Sequence, residues 1–142
     1  LIGSLSFLYS STPKEIFETF GSEANAQHII INEAMLSAMK AQAGEDADKL
    51  DKIESMVVLE LSGCDQAVKD KFAEEVGNIQ LDGYETLVRV NEENVSVKVM
   101  GRVDGDTVHD LLVIVIGEAY VMVQMEGSVN MSDVGSMVSI KS

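Results

Sequence analysis

The run Leu111-Leu112-Val113-Ile114-Val115-Ile116-Gly117-Glu118-Ala119-Tyr120-Val121-Met122-Val123 is where the fold is decided. It is the most apolar stretch of the chain, and its β-branched residues favour strand over helix. Thr107 to Ile116 therefore reads as a central strand, and Ala119 to Gly127 as the strand that returns beside it. Gly117-Glu118, with glycine first, suits a two-residue type II′ turn. That turn sets a register in which Ile116 faces Ala119, Val115 faces Tyr120, Ile114 faces Val121, Val113 faces Met122 and Leu112 faces Val123. Alternation then puts Leu112, Ile114, Ile116, Val121 and Val123 on one face, with Leu111, Val113, Val115, Tyr120 and Met122 on the other. Both faces are apolar, so each needs cover. A helix, the amino-terminal segment or a partner must supply the second one. On the partner reading, Val113, Val115, Tyr120 and Met122 form the contact set.

Upstream, Tyr84–Val90 and Val95–Met100 read as strands around the loop Asn91-Glu92-Glu93-Asn94. Val95, Val97 and Val99 alternate with Ser96, Lys98 and Met100, a one-sided pattern. Asp104-Gly105-Asp106 makes the next reversal. The first half mixes helix and strand. Thr12-Pro13-Lys14-Glu15 has the chemistry of a capping box with proline at the first helical position; Ile16, Phe17 and Phe20 give the buried stripe, and Gly21 ends the helix. Ile29-Ile30-Ile31 marks a buried strand over Gln27–Ile31. A helix follows over Glu33–Gln42 with Met35, Leu36 and Met39 on one face. Asp48–Glu54 reads as a short helix, Met56–Leu61 as a strand, and the segment from Asp65 as a helix carrying Val68, Phe72 and Val76. Asn130 is placed to cap a last helix bearing Val134, Met137 and Val138. The expected fold is α+β: a mixed, largely antiparallel sheet of about five to six strands with helices mainly on one face. Residues 13–142 form one domain. Residues 1–12 read either as the remnant of a signal peptide or as a short strand with Leu1, Leu5, Phe7 and Tyr9 on one side.

Charge narrows the function classes. The 142 residues hold 24 acids and 10 lysines and arginines, a formal charge of −14. The deficit is spread along the chain, −9 over residues 1–83 and −5 over residues 84–142. No basic stripe remains to displace counterions from phosphates, which argues against nucleic-acid binding. No apolar run approaches the roughly 20 residues of a membrane-spanning helix. A single cysteine rules out an internal disulfide framework and a thiolate-built zinc centre.

Catalytic patterns are sparse. His28 and His109 lie in separate strands, outside any metal-binding helix motif. His109 beside Asp110 makes at most a polar point near the start of the central strand. Asp104-Gly105-Asp106 lacks the spaced oxygens that a calcium loop needs. Cys64, after Ser62-Gly63 and ahead of a helix, is the one candidate nucleophile. No Gly-x-Ser-x-Gly elbow and no phosphate-binding glycine loop occurs. The residues call for no cofactor and no metal, and they point away from an enzyme.

Several phrases in order carry a family resemblance: a helix ending Phe20-Gly21-Ser22, Ile29-Ile30-Ile31 running into Asn32-Glu33-Ala34-Met35-Leu36, Gly83-Tyr84-Glu85-Thr86-Leu87-Val88-Arg89-Val90, Leu111–Val115, and Glu126-Gly127-Ser128-Val129-Asn130-Met131-Ser132-Asp133-Val134. Over residues 13–140 the chain resembles the bacterial domain-of-unknown-function family 4252. The resemblance implies a small exported protein of the Gram-negative cell envelope, periplasmic or associated with the outer membrane, with a link to envelope signalling. It supplies no active-site residues, and residues 1–12 hold no cysteine for a lipid anchor. The leading expectation is a non-enzymatic interaction or accessory module that meets an unknown protein, or itself, through the last hairpin. The alternatives are a small apolar ligand held in a methionine-lined pocket between sheet and helices, and a thiol-dependent activity at Cys64.

Overall fold

The computed structural model describes residues 12–44, 52–77, 79, 81–132 and 134. Its elements run α1 (Pro13–Gly21), β1 (Gln27–Ile31), α2 (Glu33–Ala43), β2 (Ile53–Glu60), α3 (Gln66–Gly77), β3 (Glu85–Glu92), β4 (Val95–Asp104), β5 (Thr107–Gly117) and β6 (Tyr120–Asn130). The fold is α+β, as expected. The six strands form one sheet in the order β1-β2-β6-β5-β4-β3, and every ladder is antiparallel, so the sheet is not mixed. The carboxyl-terminal strand β6 enters between β2 and β5 and joins the two halves of the chain.

Local chemistry explains the helix starts. The Glu15 amide donates to Thr12 Oγ1 at 3.2 Å, and the Thr12 amide donates to Glu15 Oε1 at 2.9 Å, which completes the capping box. Asn32 does the same service for α2, its Oδ1 accepting from the Met35 amide at 3.0 Å.

Two apolar clusters lie on opposite faces of the sheet. On the first, Ile16, Phe17 and Phe20 of α1 and Phe72 and Val76 of α3 pack over Leu59, Leu112, Ile114 and Met122. Phe20 and Phe72 meet edge to face with centroids 5.5 Å apart and so tie the two helices together. On the second, Leu36 of α2 and Val134 pack with Val97, Val99, Val108, Leu111 and Val129. Two helices thus cover one face and α2 covers the other, a division that answers the two-sided apolarity of β5. Of the predicted α2 stripe only Leu36 is buried; Met35 and Met39 remain 48% and 41% exposed.

The last hairpin is one residue out of the expected register. Ile116 pairs with Tyr120, Val115 with Val121, Ile114 with Met122 and Val113 with Val123, which leaves the three residues Gly117-Glu118-Ala119 between them. Gly117 prolongs β5 at φ 138°, a conformation L residues avoid, instead of opening a two-residue turn. A slip of one residue moves every side chain of the return strand to the opposite face. The upstream hairpin also turns more tightly than expected: β3 and β4 pair up to Glu92 and Val95, so only Glu93 and Asn94 remain in the loop.

Other boundaries shift too. Ile53 starts β2 and is not part of a helix; of the expected helix over 48–54, residues 48–51 lie outside the described residues. Asn130 ends β6 and the chain turns helical at Met131 and Ser132, while Met137 and Val138 lie outside the described residues, as do residues 1–11.

Candidate binding site

A bulge in β5 builds the most chemically varied surface. The β5–β6 ladder loses register between His109 and Leu112, and the β4–β5 ladder between Met100 and Arg102. The extra residue reverses the alternation, so Val108 belongs to the α2-side cluster and Leu112 to the α1-side one. At the bulge Asp110 adopts φ 53°, uncommon for a residue with a side chain. Its Oδ2 pairs with Arg102, and its Oδ1 accepts from the Gly127 amide.

Asp110 lines one side of an open cleft of about 430 Å³ between α1 and the sheet, with Tyr84, Gln124 and Glu126 nearby. The other walls are Phe17 with Lys14 and Glu18 of α1, His28 and Ile30 of β1, and Val57 of β2. Strand pairing explains why residues so far apart in sequence converge: Ile30 pairs with Val57, Val57 with Gln124, and Gln124 with Leu112, one row across four strands. His28 stacks on Phe17, rings 5.8 Å apart and 9° from parallel. Ser55 donates to Glu126 Oε1 at 2.8 Å. Burial and then Asp110 push the Tyr84 phenol above its ordinary value, against Arg102 and hydrogen bonds to Gln124 and Arg102. The walls therefore combine an apolar strip with charged groups of both signs.

At the mouth stands Ile30, 62% exposed, and its neighbour Ile29 is 42% exposed. The triple isoleucine is a strand, as read, but β1 ends the sheet order and these side chains are not buried. Strand order is a long-range property, so local composition carried no signal of the edge.

The residues singled out from sequence fall elsewhere. Val113 and Val115 pack against the α2-side cluster, whereas Tyr120 and Met122 belong to the α1-side one. The four do not share a face, because the register differs by one. Met122 is fully buried, and Lys69 Nζ lies 5.4 Å from the centre of the Tyr120 ring. Cys64 is buried in the α1-side core, where burial first, then Glu23, Asp65 and Glu60, push its thiol above the ordinary value of 9.0, against Lys69. Among the described residues no methionine lines the cleft; Met100 and Met122 fill the core beneath the helices. His109 pairs with Arg102 and Ser128 in the ladders. Among the described residues, no group of three or more His, Cys, Asp or Glu side chains is arranged to hold a metal ion. No helix among them is long and apolar enough to cross a membrane.

What the fold and cleft define is a small α+β domain with one antiparallel sheet, covered on both faces and open beside α1. The chain belongs to the family of the domain of unknown function DUF4252, whose pattern it matches over residues 19–137. No curated protein and no solved structure matches it.

Proposed function

We propose that this chain is a non-enzymatic binding module of the cell envelope, and that it meets its partner at the α1 cleft and the β1 edge, not at the last hairpin. One observation carries the reading: Ile30, 62% exposed, stands on an edge strand at the mouth of a cleft of mixed polarity. With Ile29 beside it, Ile30 makes a contiguous exposed apolar patch next to a concavity with polar groups around it, the kind of surface that marks an interaction site. The buried, raised thiol of Cys64 suits a core residue, since the nucleophile is the thiolate. Export and an envelope setting rest on the family resemblance.

The test is affinity capture from a cell-envelope extract with the wild type and with Ile30→Lys. Ile30 is solvent-exposed, so the variant should keep the wild-type melting temperature within the small range typical of surface changes. The expected result is a protein recovered by the wild type and lost by the variant. Equal recovery by both would move the contact away from this edge.

A further inference from the structure

We infer that β1 accepts an additional strand from another protein, an extended segment in which apolar residues alternate with lysine or arginine. This inference rests on the binding-module reading and specifies its mode. β1 is the terminal strand of the sheet, and among the described residues its single ladder runs to β2. The outward N–H and C=O groups of an edge strand are a template for pairing.

The two edges of the sheet differ. β3, at the far side, carries Glu85, Arg89 and Glu92 and breaks register between Thr86 and Val88, two devices that discourage strand addition. β1 reads Gln-His-Ile-Ile-Ile, with no lysine, acid or proline, and pairs in unbroken register over all five residues. Among the described residues it is the edge without such devices.

Exposed isoleucines stand on both sides of it. Ile30 projects on the α1 side into the cleft with His28 and Val57, while Ile29 has the opposite parity, that of Ile31 in the α2-side cluster. A ligand lying on one face would cover one of them. A strand added in the plane of the sheet covers both: its apolar residues lie against one isoleucine, and the aliphatic stems of its basic residues lie against the other with their charged ends free to reach the acids.

Charge selects the occupant. Glu60 pairs with Gln27 at one end of β1, Glu33 follows the other end, and Glu18 and Glu126 line the cleft with Lys14. Asp110 is already held by Arg102. A basic segment is attracted to this edge, whereas a second copy would bring another chain of charge −14. Five residues of strand span roughly 17 Å, so a segment of about the same length suffices.

The probe is a capped peptide of about seven residues alternating lysine and valine, added to the whole chain while amide hydrogen exchange is followed along it. Controls are the glutamate–valine peptide and a lysine–valine peptide N-methylated at alternate residues, which keeps charge and apolarity but cannot pair. The expected result is saturable binding of the unmethylated basic peptide with exchange slowed across Gln27–Ile31. Affinity should fall at least about tenfold for Ile29→Thr/Ile30→Thr, which keeps β-branched residues in the strand. Three outcomes overturn the inference: no slowing in β1, equal binding of either control peptide, or a dimer joined through β1 without peptide. If the peptide fails while the envelope partner is still captured through Ile30, the binding module stands and strand addition falls.

Discussion

Asp110 Oδ1 lies 3.4 Å from the backbone nitrogen of Gly127, and the two residues share positive φ, 53° and 122°. The contact pins β5 to β6 where the β5–β6 ladder is irregular, and so sets the polar side of the cleft. Because Asp110 is held at positive φ, replacements should rank by backbone tolerance. Asp110→Gly is expected to be about 1 kcal/mol more stable than Asp110→Ala, the reverse of the usual strand preference. Asp110→Asn, which tolerates this region and keeps an acceptor, should lie nearest the wild type. Urea unfolding of the three variants measures the order.

Gly117 and Gly105 form a second contrast. A Cβ on Gly117 would overlap the carbonyl oxygen of Asn94, and its φ is 138°; a Cβ on Gly105 meets nothing within 4 Å at φ 63°. Gly105→Ala should cost about 1–2 kcal/mol, the penalty of the left-handed conformation alone. Gly117→Ala should cost clearly more, since backbone must also move. Thermal melts of the two variants give the comparison.

The Phe20–Phe72 contact links α1 to α3 over the sheet. Both rings are buried, so Phe72→Ala is expected to cost about 3–5 kcal/mol. A double-mutant cycle with leucine at each position should return a coupling of about 0.5–1.5 kcal/mol. A coupling near zero would mean that α1 and α3 are held independently.

Cys64 should be slow to alkylate. With its thiol raised by burial and by Glu23, Asp65 and Glu60, the native protein should react with iodoacetamide at neutral pH more slowly than free cysteine. Urea should abolish the difference. The same shift has a stability consequence: the native state favours the neutral thiol, so that contribution is complete below 9.0 and is lost as pH rises through the raised value. Tyr84 acts with the same sign above 10.0, whereas Lys98, lowered by burial and then Arg89, acts with the opposite sign below 10.5. Subtracting the stability of Cys64→Ala isolates the thiol: the difference should be flat up to pH 9 and shrink above it.

What the sequence revealed was local or periodic. Thr12, Pro13 and Glu15 announced α1 because a capping box closes within one turn. The apolar residues of β5 showed that both faces needed cover, since side-chain alternation survives any strand order. The hairpin register failed because Gly117 has two roles open to glycine, turn opener or strand end, and composition does not choose between them. The cleft was invisible for a deeper reason. It depends on β6 entering between β2 and β5, which leaves no local mark, and on an extra residue at Asp110, whose marks are the strand glycines Gly101 and Gly127 on the neighbouring strands. Together with the polar pair His109-Asp110 interrupting an apolar strand, these glycines were the available hint.

Site-specific photo-crosslinking in the native host cell distinguishes a partner at the β1 edge from one at the last hairpin. A photoreactive amino acid is placed at position 30, on the β1 edge, and separately at position 115, on the α2-side face of the last hairpin. A partner at the β1 edge gives a discrete adduct from position 30 and none from position 115. An adduct from position 115 alone would rule out that placement and return the binding surface to the hairpin.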